Sequence, residues 1–426
     1  MKVRLTSFNR RCQSVMRSCR RAADSRKVSV YLVGGPVRDF ILGCPNSDLD
    51  FVIEGDVPAV ARQIARDLKG RLTVYPQFRT ATVTLADGTS IDLATTRKEI
   101  YAHPGALPQV SSGDIHDDLY RRDFTINAMA ISVNRRSSGE LVDFYNGRAD
   151  LHSGKIRILH ENSFHEDPTR ILRAVRFEQR FGFSLESVTA RCLHSALKGD
   201  VLRLISAERF FQEIKKVLKE RRPVRALRRL AGLGILARWD LDGDVHYRRL
   251  QGFEDRLMIL YEQPLYRQIE FAWLYFMALT EHKRLREIHR LAGRLPLTRY
   301  QLKCLTQLRV SAEIVDRLSQ RMLNRGTVYR YLRDLPLEVV AYWRVRYPSQ
   351  RLAERIDRFF SHDRSVRLSL NGRDLKGRKG ISGRTIGAIL DELKIRKVEG
   401  KIHTRGDEWA AVEEMLGRKA VCQSKL

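Results

Sequence analysis

The alternation of apolar and polar positions changes character near residue 143. Between Val28 and Ser132 short β-prone runs recur (VSVYLVGG, LDFVIEG, RLTVYP, TATVTLADG, SIDLATT), punctuated by Gly and Asp. They predict a small mixed sheet, with helices at PVRDFILG and around AVARQIARDLKG. The Asp87-Gly88 pair is a hairpin signal that makes two of these strands antiparallel neighbours. From about Glu166 to Trp239 apolar residues return at helical spacing amid Arg, Leu and Glu, and the rest of the chain continues in that style. With no fixed-period repeat and no low-complexity linker, the expectation is an α/β head followed by a mostly α-helical body, with boundaries near 143, 240 and 365.

A chain of 426 residues accommodates roughly three domains of about 150 residues each. No stretch approaches the roughly 18 to 20 apolar residues that a membrane helix needs, so no membrane partner is expected. The formal charge of +28 changes the picture more, because a basic surface binds polyanions by neutralisation and counterion release. Charge alone does not separate a nucleic-acid binder from a well-solvated basic surface. Six cysteines (Cys12, Cys19, Cys44, Cys192, Cys304, Cys422) lie far apart without metal-site spacing, which suits reduced thiols and a cytoplasmic protein. The first 23 residues are Arg-rich and lack an acid before Asp24, as organelle transit peptides do; an exposed basic helix is the plainer expectation.

The strongest chemical signal is GGPVRDFILGCPNSDLDFVIEGD, Gly34 to Asp56. Asp48 and Asp50 stand one residue apart in a strand-like run, so both carboxylates point to one side and can hold magnesium. A metal there would activate an attacking hydroxyl and neutralise leaving pyrophosphate. Gly34-Gly35 allows backbone N–H groups to approach a triphosphate, a helix begun near Pro36 would aim its N-terminus at it, and Arg38 could add a charge-assisted contact. Asp92, in SIDLATT, is either a third metal carboxylate or a partly exposed strand residue.

This segment resembles the head of the class II tRNA nucleotidyltransferase and bacterial poly(A) polymerase family, with its GGxVRD turn and DxD pair. Four further stretches resemble the family's later motifs in order: RRDFTINAMA (Arg121 to Ala130), DFYNGRADL (Asp143 to Leu151), EDPTRILRAVRF (Glu166 to Phe177) and AERFFQEI (Ala207 to Ile214). The resemblance covers about residues 30 to 220 closely and implies an α/β head of the polymerase-beta nucleotidyltransferase type over 28–142, preceded by a basic segment over 1–27. It implies a helical neck with a base-selecting helix over 143–240, a helical body over 241–365 and an RNA-binding tail over 366–426. The implied reaction adds C and/or A from CTP and/or ATP to the 3′ end of tRNA, with Asp48 and Asp50 holding Mg²⁺.

The resemblance also implies residue roles. Asp123, with Arg122 and Asn127, would bind the ribose, Asp123 accepting from the 2′-hydroxyl. If EDPTR is helical, Asp167 and Arg170 share a face at i,i+3, and Glu166 pairs with Arg170 at i,i+4. An acceptor beside a donor matches the Watson–Crick edges of cytosine and adenine and leaves unpaired polar groups against uracil and guanine. Arg173 and Arg176 would touch triphosphate or RNA, or be solvated.

KEIYAHPGALPQVSSGDIHDDLY, between Arg97 and Arg121, reads as a flexible loop rich in Pro, Gly and Ser. It resembles the loop of enzymes that add CC only or A only, which implies a second enzyme completing the CCA end. The C-terminal Asn371, Gly372, Asp374, Leu375, Gly383 and Gly387 match the tRNA-binding tail of bacterial members. The His362-Asp363 pair in the body is expected in a solvated loop, since the other ligands of a phosphohydrolase are not recognisable around it. Two other functions compete: a poly(A) polymerase sharing the head, and a non-catalytic RNA-binding protein that keeps the fold.

Overall fold

The computed structural model describes residues 2–44, 49–241, 247–376 and 383–423. They form two compact units, Met1–Val217 and Leu218–Leu426. In chain order the first unit contains α1 (Arg10–Arg26), β1 (Ser29–Val33), α2 (Gly35–Ile41), β2 (Asp50–Glu54), α3 (Val57–Leu68), β3 (Arg71–Tyr75), β4 (Thr80–Thr84) and β5 (Ser90–Thr95). It continues with β6 (Arg97–Ile100), β7 (Gln109–Ser112), α4 (Ile115–Tyr120), β8 (Ala130–Ser132), β9 (Leu141–Val142), α5 (Gly147–Ser153) and β10 (Lys155–Ile156). Last come α6 (Ser163–Glu166), α7 (Thr169–Phe181), β11 (Ser184–Leu185), α8 (Ser187–Lys198) and α9 (Ala207–Leu218).

Seven strands make one mixed sheet in the order β3-β4-β5-β2-β1-β8-β9. β4 and β5 are the antiparallel hairpin expected at Asp87-Gly88, and Gly88 takes the positive φ of +85° that this turn demands. β2 and β5 run parallel, with Asp50 directly opposite Asp92.

Three local expectations need correction. The N-terminal basic stretch is a half-buried helix, because Cys12, Val15, Met16, Cys19, Ala22 and Ala23 recur at helical spacing and turn one face of α1 against α3. Arg11, Arg17 and Arg21 occupy its exposed face, and Ser18 and Arg21 bond Asp67 of α3. The supposed flexible loop is instead the β6–β7 hairpin followed by α4. Glu99 organises it, accepting from Arg97, from Arg121 and from the Tyr101 hydroxyl. Finally, Asp363 is buried rather than solvated and pairs with Arg325 at 2.8 Å.

The second unit is helical throughout its described elements, from Val224–Gly232 to Arg405–Gln423. Its Leu337–Arg346 helix is buried nearly all round, with Val339, Val340, Tyr342 and Trp343 enclosed, as a helix central to a bundle should be. Near the C-terminus Leu370, Leu375, Ile389, Leu393, Ile402 and Val412 form a separate small core. Asn371 and Asp374 cap the short helix there, and the buried Glu408 accepts from the Ser369 and Leu370 N–H groups and from Lys397. Gly383 and Gly387 stand in the Gly383–Val398 helix beyond it.

The DFYNGRADL stretch supports the head from below. Asp143 accepts from the backbone N–H groups of Gly147 and Arg148, and Asp150 accepts from Thr125 Oγ1 at 2.6 Å and from Arg157. A Cβ at Gly147 would lie 2.2 Å from the Thr125 carbonyl oxygen, at the start of the 3₁₀ turn Thr125–Asn127. Gly147→Ala is therefore expected to cost about 1–3 kcal/mol in urea unfolding, because backbone rather than a flexible side chain must give way.

Candidate active site

Gly34 follows β1 at φ +70°, a backbone conformation that favours glycine, and a Cβ there would meet Arg122 Nη1 at 2.6 Å and have to displace that guanidinium. α2 follows from Gly35 with Pro36 in its first turn, but it is only seven residues long. Charge at this end is supplied chiefly by side chains. A cleft of about 560 Å³ opens here, lined by Gly34, Gly35, Asp50, Glu99, Asp123, Asn127, Asp167 and nine arginines: Arg38, Arg97, Arg121, Arg122, Arg170, Arg173, Arg176, Arg180 and Arg209. Nine guanidiniums against four carboxylates suit a polyanionic ligand such as a triphosphate.

Asp123 is the most tightly held group. Its Oδ1 accepts from the Phe124 N–H and Asn127 Nδ2, both at 2.9 Å, and its Oδ2 accepts from Arg173 Nε at 2.8 Å and Nη2 at 2.6 Å. Burial by itself would raise the carboxyl, but the Arg173 charge and these hydrogen bonds outweigh it and bring it down to about 2. Asn127 is oriented in turn by Arg38, whose Nη1 donates to Asn127 Oδ1 at 2.6 Å and whose Nε donates to Asp39 at 2.7 Å. Arg38 is itself buried, stacked over Phe177 and Phe181 at 5.3 and 4.9 Å. Beside it, Arg122 is fixed by Asp118, a buried carboxyl that Arg122 and Arg121 hold below its usual value against the opposing effect of burial.

The EDPTR segment is not one helix. Pro168 breaks it: α6 ends at Glu166, Asp167 is extended at φ −130°, and α7 begins at Thr169. Glu166 therefore does not pair with Arg170; it faces His160 at 3.3 Å and does not line the cleft. Arg170 donates to Ser163 Oγ at 2.7 Å and to the Arg121 carbonyl at 2.8 Å. Asp167 Oδ1 accepts from the Thr169 N–H, from Thr169 Oγ1 and from Arg209 Nη2 at 2.6 Å. The break still brings Asp167 and Arg170 into the same cleft.

The cleft thus gathers Gly34, Gly35, Arg38, Asp50, Arg122, Asp123, Asn127, Asp167, Arg170, Arg173 and Arg176. Asp92 is outside its lining but exposed on the strand beside Asp50, with Thr82 donating to one of its oxygens. Asp48 lies outside the described residues. Arg209, Arg121, Glu99 and Tyr101 were missed as site residues; Arg121 and Arg209 lay inside recognised motifs, whereas Glu99 and Tyr101 sat in a stretch whose composition suggests only a loop. Another acidic group, Asp114, His116 and Asp117, comes close together, but Asp114 and Asp117 are the reciprocal cap of α4. That capping accounts for their proximity without a metal.

Arg173→Ala should leave Asp123 buried without its cation and cost roughly 3 kcal/mol in urea unfolding at pH 7. Because the native carboxyl titrates near 2, below its ordinary value of about 4, its stabilising contribution is present above that ordinary value and lost as pH falls towards 2. In the variant, whose carboxyl lacks the cation and stands higher, less stability should be lost over that interval than in the wild type in parallel unfolding series.

A family model described as the poly A polymerase head domain matches residues 30–157, and one described as a probable RNA and SrmB-binding site of polymerase A matches residues 182–239. The chain is 34% identical over 404 residues to an A-adding tRNA nucleotidyltransferase of Geobacter sulfurreducens, covering 93% of this chain and 46% of that protein. It is 44% identical over 211 residues to an A-adding tRNA nucleotidyltransferase of Halalkalibacterium halodurans, covering 49% of each. CC-adding and CCA-adding enzymes also occur among the relatives. The chain spans about half the length of the curated relatives it matches. A solved apo structure of a CCA-adding enzyme aligns over 97% of both chains at 30% identity, with a TM-score of 0.72. With that full-length likeness added to the matching head, the chain belongs to the tRNA nucleotidyltransferase family that shares the poly(A) polymerase head domain.

Proposed function

We propose that this chain adds nucleotides without a template to the 3′ end of tRNA, using ATP and/or CTP and releasing pyrophosphate. The observation that carries this reading is one arginine-rich cleft that joins the Gly34-Gly35 turn and Asp50 to Asp167 and Arg170. Within it, addition of adenosine alone is favoured, because the relative matched over 93% of the chain is named A-adding. A separate enzyme would then supply the preceding cytidines. Residues 366–426 would bind the RNA through their lysines and arginines, and the widely spaced thiols suit the cytoplasm.

Asp50 and Asp92 fit a divalent cation: two hard carboxylates stand opposite each other on adjacent strands, where like charges repel unless a cation lies between them. Together with Asp48 they would hold Mg²⁺. When bound, the metal supplies charge neutralisation at the α-phosphate and makes the terminal RNA hydroxyl a better nucleophile. The arginines then balance the triphosphate and the departing pyrophosphate. Asp123 and Asn127 receive the ribose. Asp167 Oδ1 is committed to Thr169 and Arg209, so Oδ2 accepts from the exocyclic amino group of the base. Arg170, steadied by Ser163 and the Arg121 carbonyl, donates to the adjacent ring nitrogen. Uracil and guanine present a carbonyl to Asp167 and an N–H to Arg170, so selection follows from unpaired buried polar groups.

The test incubates the protein and Mg²⁺ with tRNA transcripts ending before CCA, after CC, or complete, with each labelled nucleotide alone. One adenosine on the CC-ended transcript is expected, reduced on the order of a thousandfold in Asp48→Ala or Asp50→Ala. Two cytidines on the first transcript would make it CC-adding, and both activities would make it a full CCA enzyme. Long adenosine tracts on any RNA would indicate a poly(A) polymerase, and no incorporation, or full activity in Asp48→Ala, would leave an RNA-binding protein.

A further inference from the structure

The four donors on Asp123 create a difficulty for sugar recognition. A carboxylate offers about four lone-pair positions, and the Phe124 N–H, Asn127 Nδ2, Arg173 Nε and Arg173 Nη2 take them. No acceptor position is left for a 2′-hydroxyl unless one donor withdraws. The Phe124 donor is backbone, and Asn127 is locked from behind by Arg38. Arg173 differs, because a second carboxylate stands on its other side.

That carboxylate is Glu213 of α9, only 6% exposed. Its Oε1 lies 3.7 Å from Arg173 Nη1, beyond hydrogen-bond range, and 2.6 Å from Lys216 Nζ. Its Oε2 is enclosed and has no hydrogen-bond partner among the described residues. Buried polar atoms are rarely left in this condition, and such an exception calls for an explanation. Arg173 presents its Nε–Nη2 side to Asp123 and its remaining amino group towards Glu213. A modest turn of the guanidinium would exchange one carboxylate for the other, and the cation would remain paired throughout.

We propose that Glu213 is a positioning residue for sugar selection: it draws Arg173 off Asp123 as a ribonucleotide enters, so that Asp123 exchanges guanidinium donors for the 2′-hydroxyl. Glu213 Oε2 gains the partner it lacks, and Asp123 keeps its acceptor positions filled. A deoxyribonucleotide brings no donor at the 2′ position, so withdrawal of Arg173 would leave a buried carboxylate oxygen empty, and the exchange is not driven. The inference rests on the nucleotidyltransferase reading above and on Asp123 as the ribose acceptor.

The test measures kcat/KM for ATP against 2′-dATP, and for CTP against 2′-dCTP, on the CC-ended and unextended transcripts with the full chain. Glu213→Gln keeps the shape of the side chain but removes its charge, and should lower the ribose-to-deoxyribose ratio about tenfold, mainly through weaker ribonucleotide binding. Lys216→Met, at a half-exposed position, frees Glu213 Oε1 from its competitor and should raise the same ratio about threefold. Equal losses for ribo- and deoxyribonucleotides in Glu213→Gln would mean a merely structural role and would overturn the inference, as would an unchanged ratio. If thermal unfolding shows that Glu213→Gln does not fold, Lys216→Met decides, and an unchanged ratio there is equally fatal. A wild-type protein that incorporates neither nucleotide removes the function itself and this inference with it; a wild type that discriminates sugars without help from Glu213 removes only the inference.

Discussion

The buried charge of Asp123 is the constraint around which the first unit is organised. A carboxylate taken out of water survives as an anion only if it is paired and fully hydrogen-bonded. Here the requirement is met by a backbone N–H and an amide from its own turn and by a guanidinium from 50 residues away. The network continues outward through Asn127 to Arg38 and Asp39, and through Arg173 towards Glu213 and Lys216. Residues far apart in sequence, on α2, on the 3₁₀ turn, on α7 and on α9, thus belong to one buried polar assembly. This is a physical reason for the first, second and fourth motifs to occur together, since a network missing one member leaves the others unsatisfied.

The same cleft must hold nine guanidiniums close together before any anion arrives. Carboxylates neutralise some of them: Asp118 takes Arg121 and Arg122, Glu99 takes Arg97 and Arg121, and Asp167 takes Arg209. Aromatic rings steady others. Phe177 and Phe181 stack on each other at 5.9 Å, and Arg38, Arg173, Arg176 and Arg180 all lie over one or both rings. An aromatic face attracts a cation without cancelling its charge. The positive field therefore remains available to an anionic ligand, while the side chains that generate it are already oriented, so little reorganisation is needed when one binds.

Glycine and proline set the local geometry that this assembly needs. Gly34 supplies the positive φ between β1 and α2, and Gly147 lets the Thr125 carbonyl approach closer than a side chain would permit. Pro168 separates α6 from α7, so Asp167 leaves the helix axis and meets Arg209 while Arg170 stays on the helix. Selection of the base edge would thus rest on a helix break, with each partner held by groups outside its own turn.

Much of this was legible in the sequence wherever a short-range rule applies. Period-2 runs and Asp87-Gly88 determine the strands and the hairpin, because strand faces and turn conformations depend on neighbouring residues. The motif strings identify eleven of the residues lining the cleft, because each string keeps its chemistry within a few positions. What failed were readings that assumed a local partner: Glu166 for Arg170, solvent for Asp363, and a free loop where Glu99 gathers Arg97, Arg121 and Tyr101. Residue spacing determines which side chains share a face. Which of them meet across 50 residues, as Asp123 and Arg173 do, depends on burial, since a charge excluded from water takes whichever partner the packed chain brings within reach. Spacing along the chain thus establishes the elements and the kinds of group in the site, whereas their pairing arises only when the chain packs.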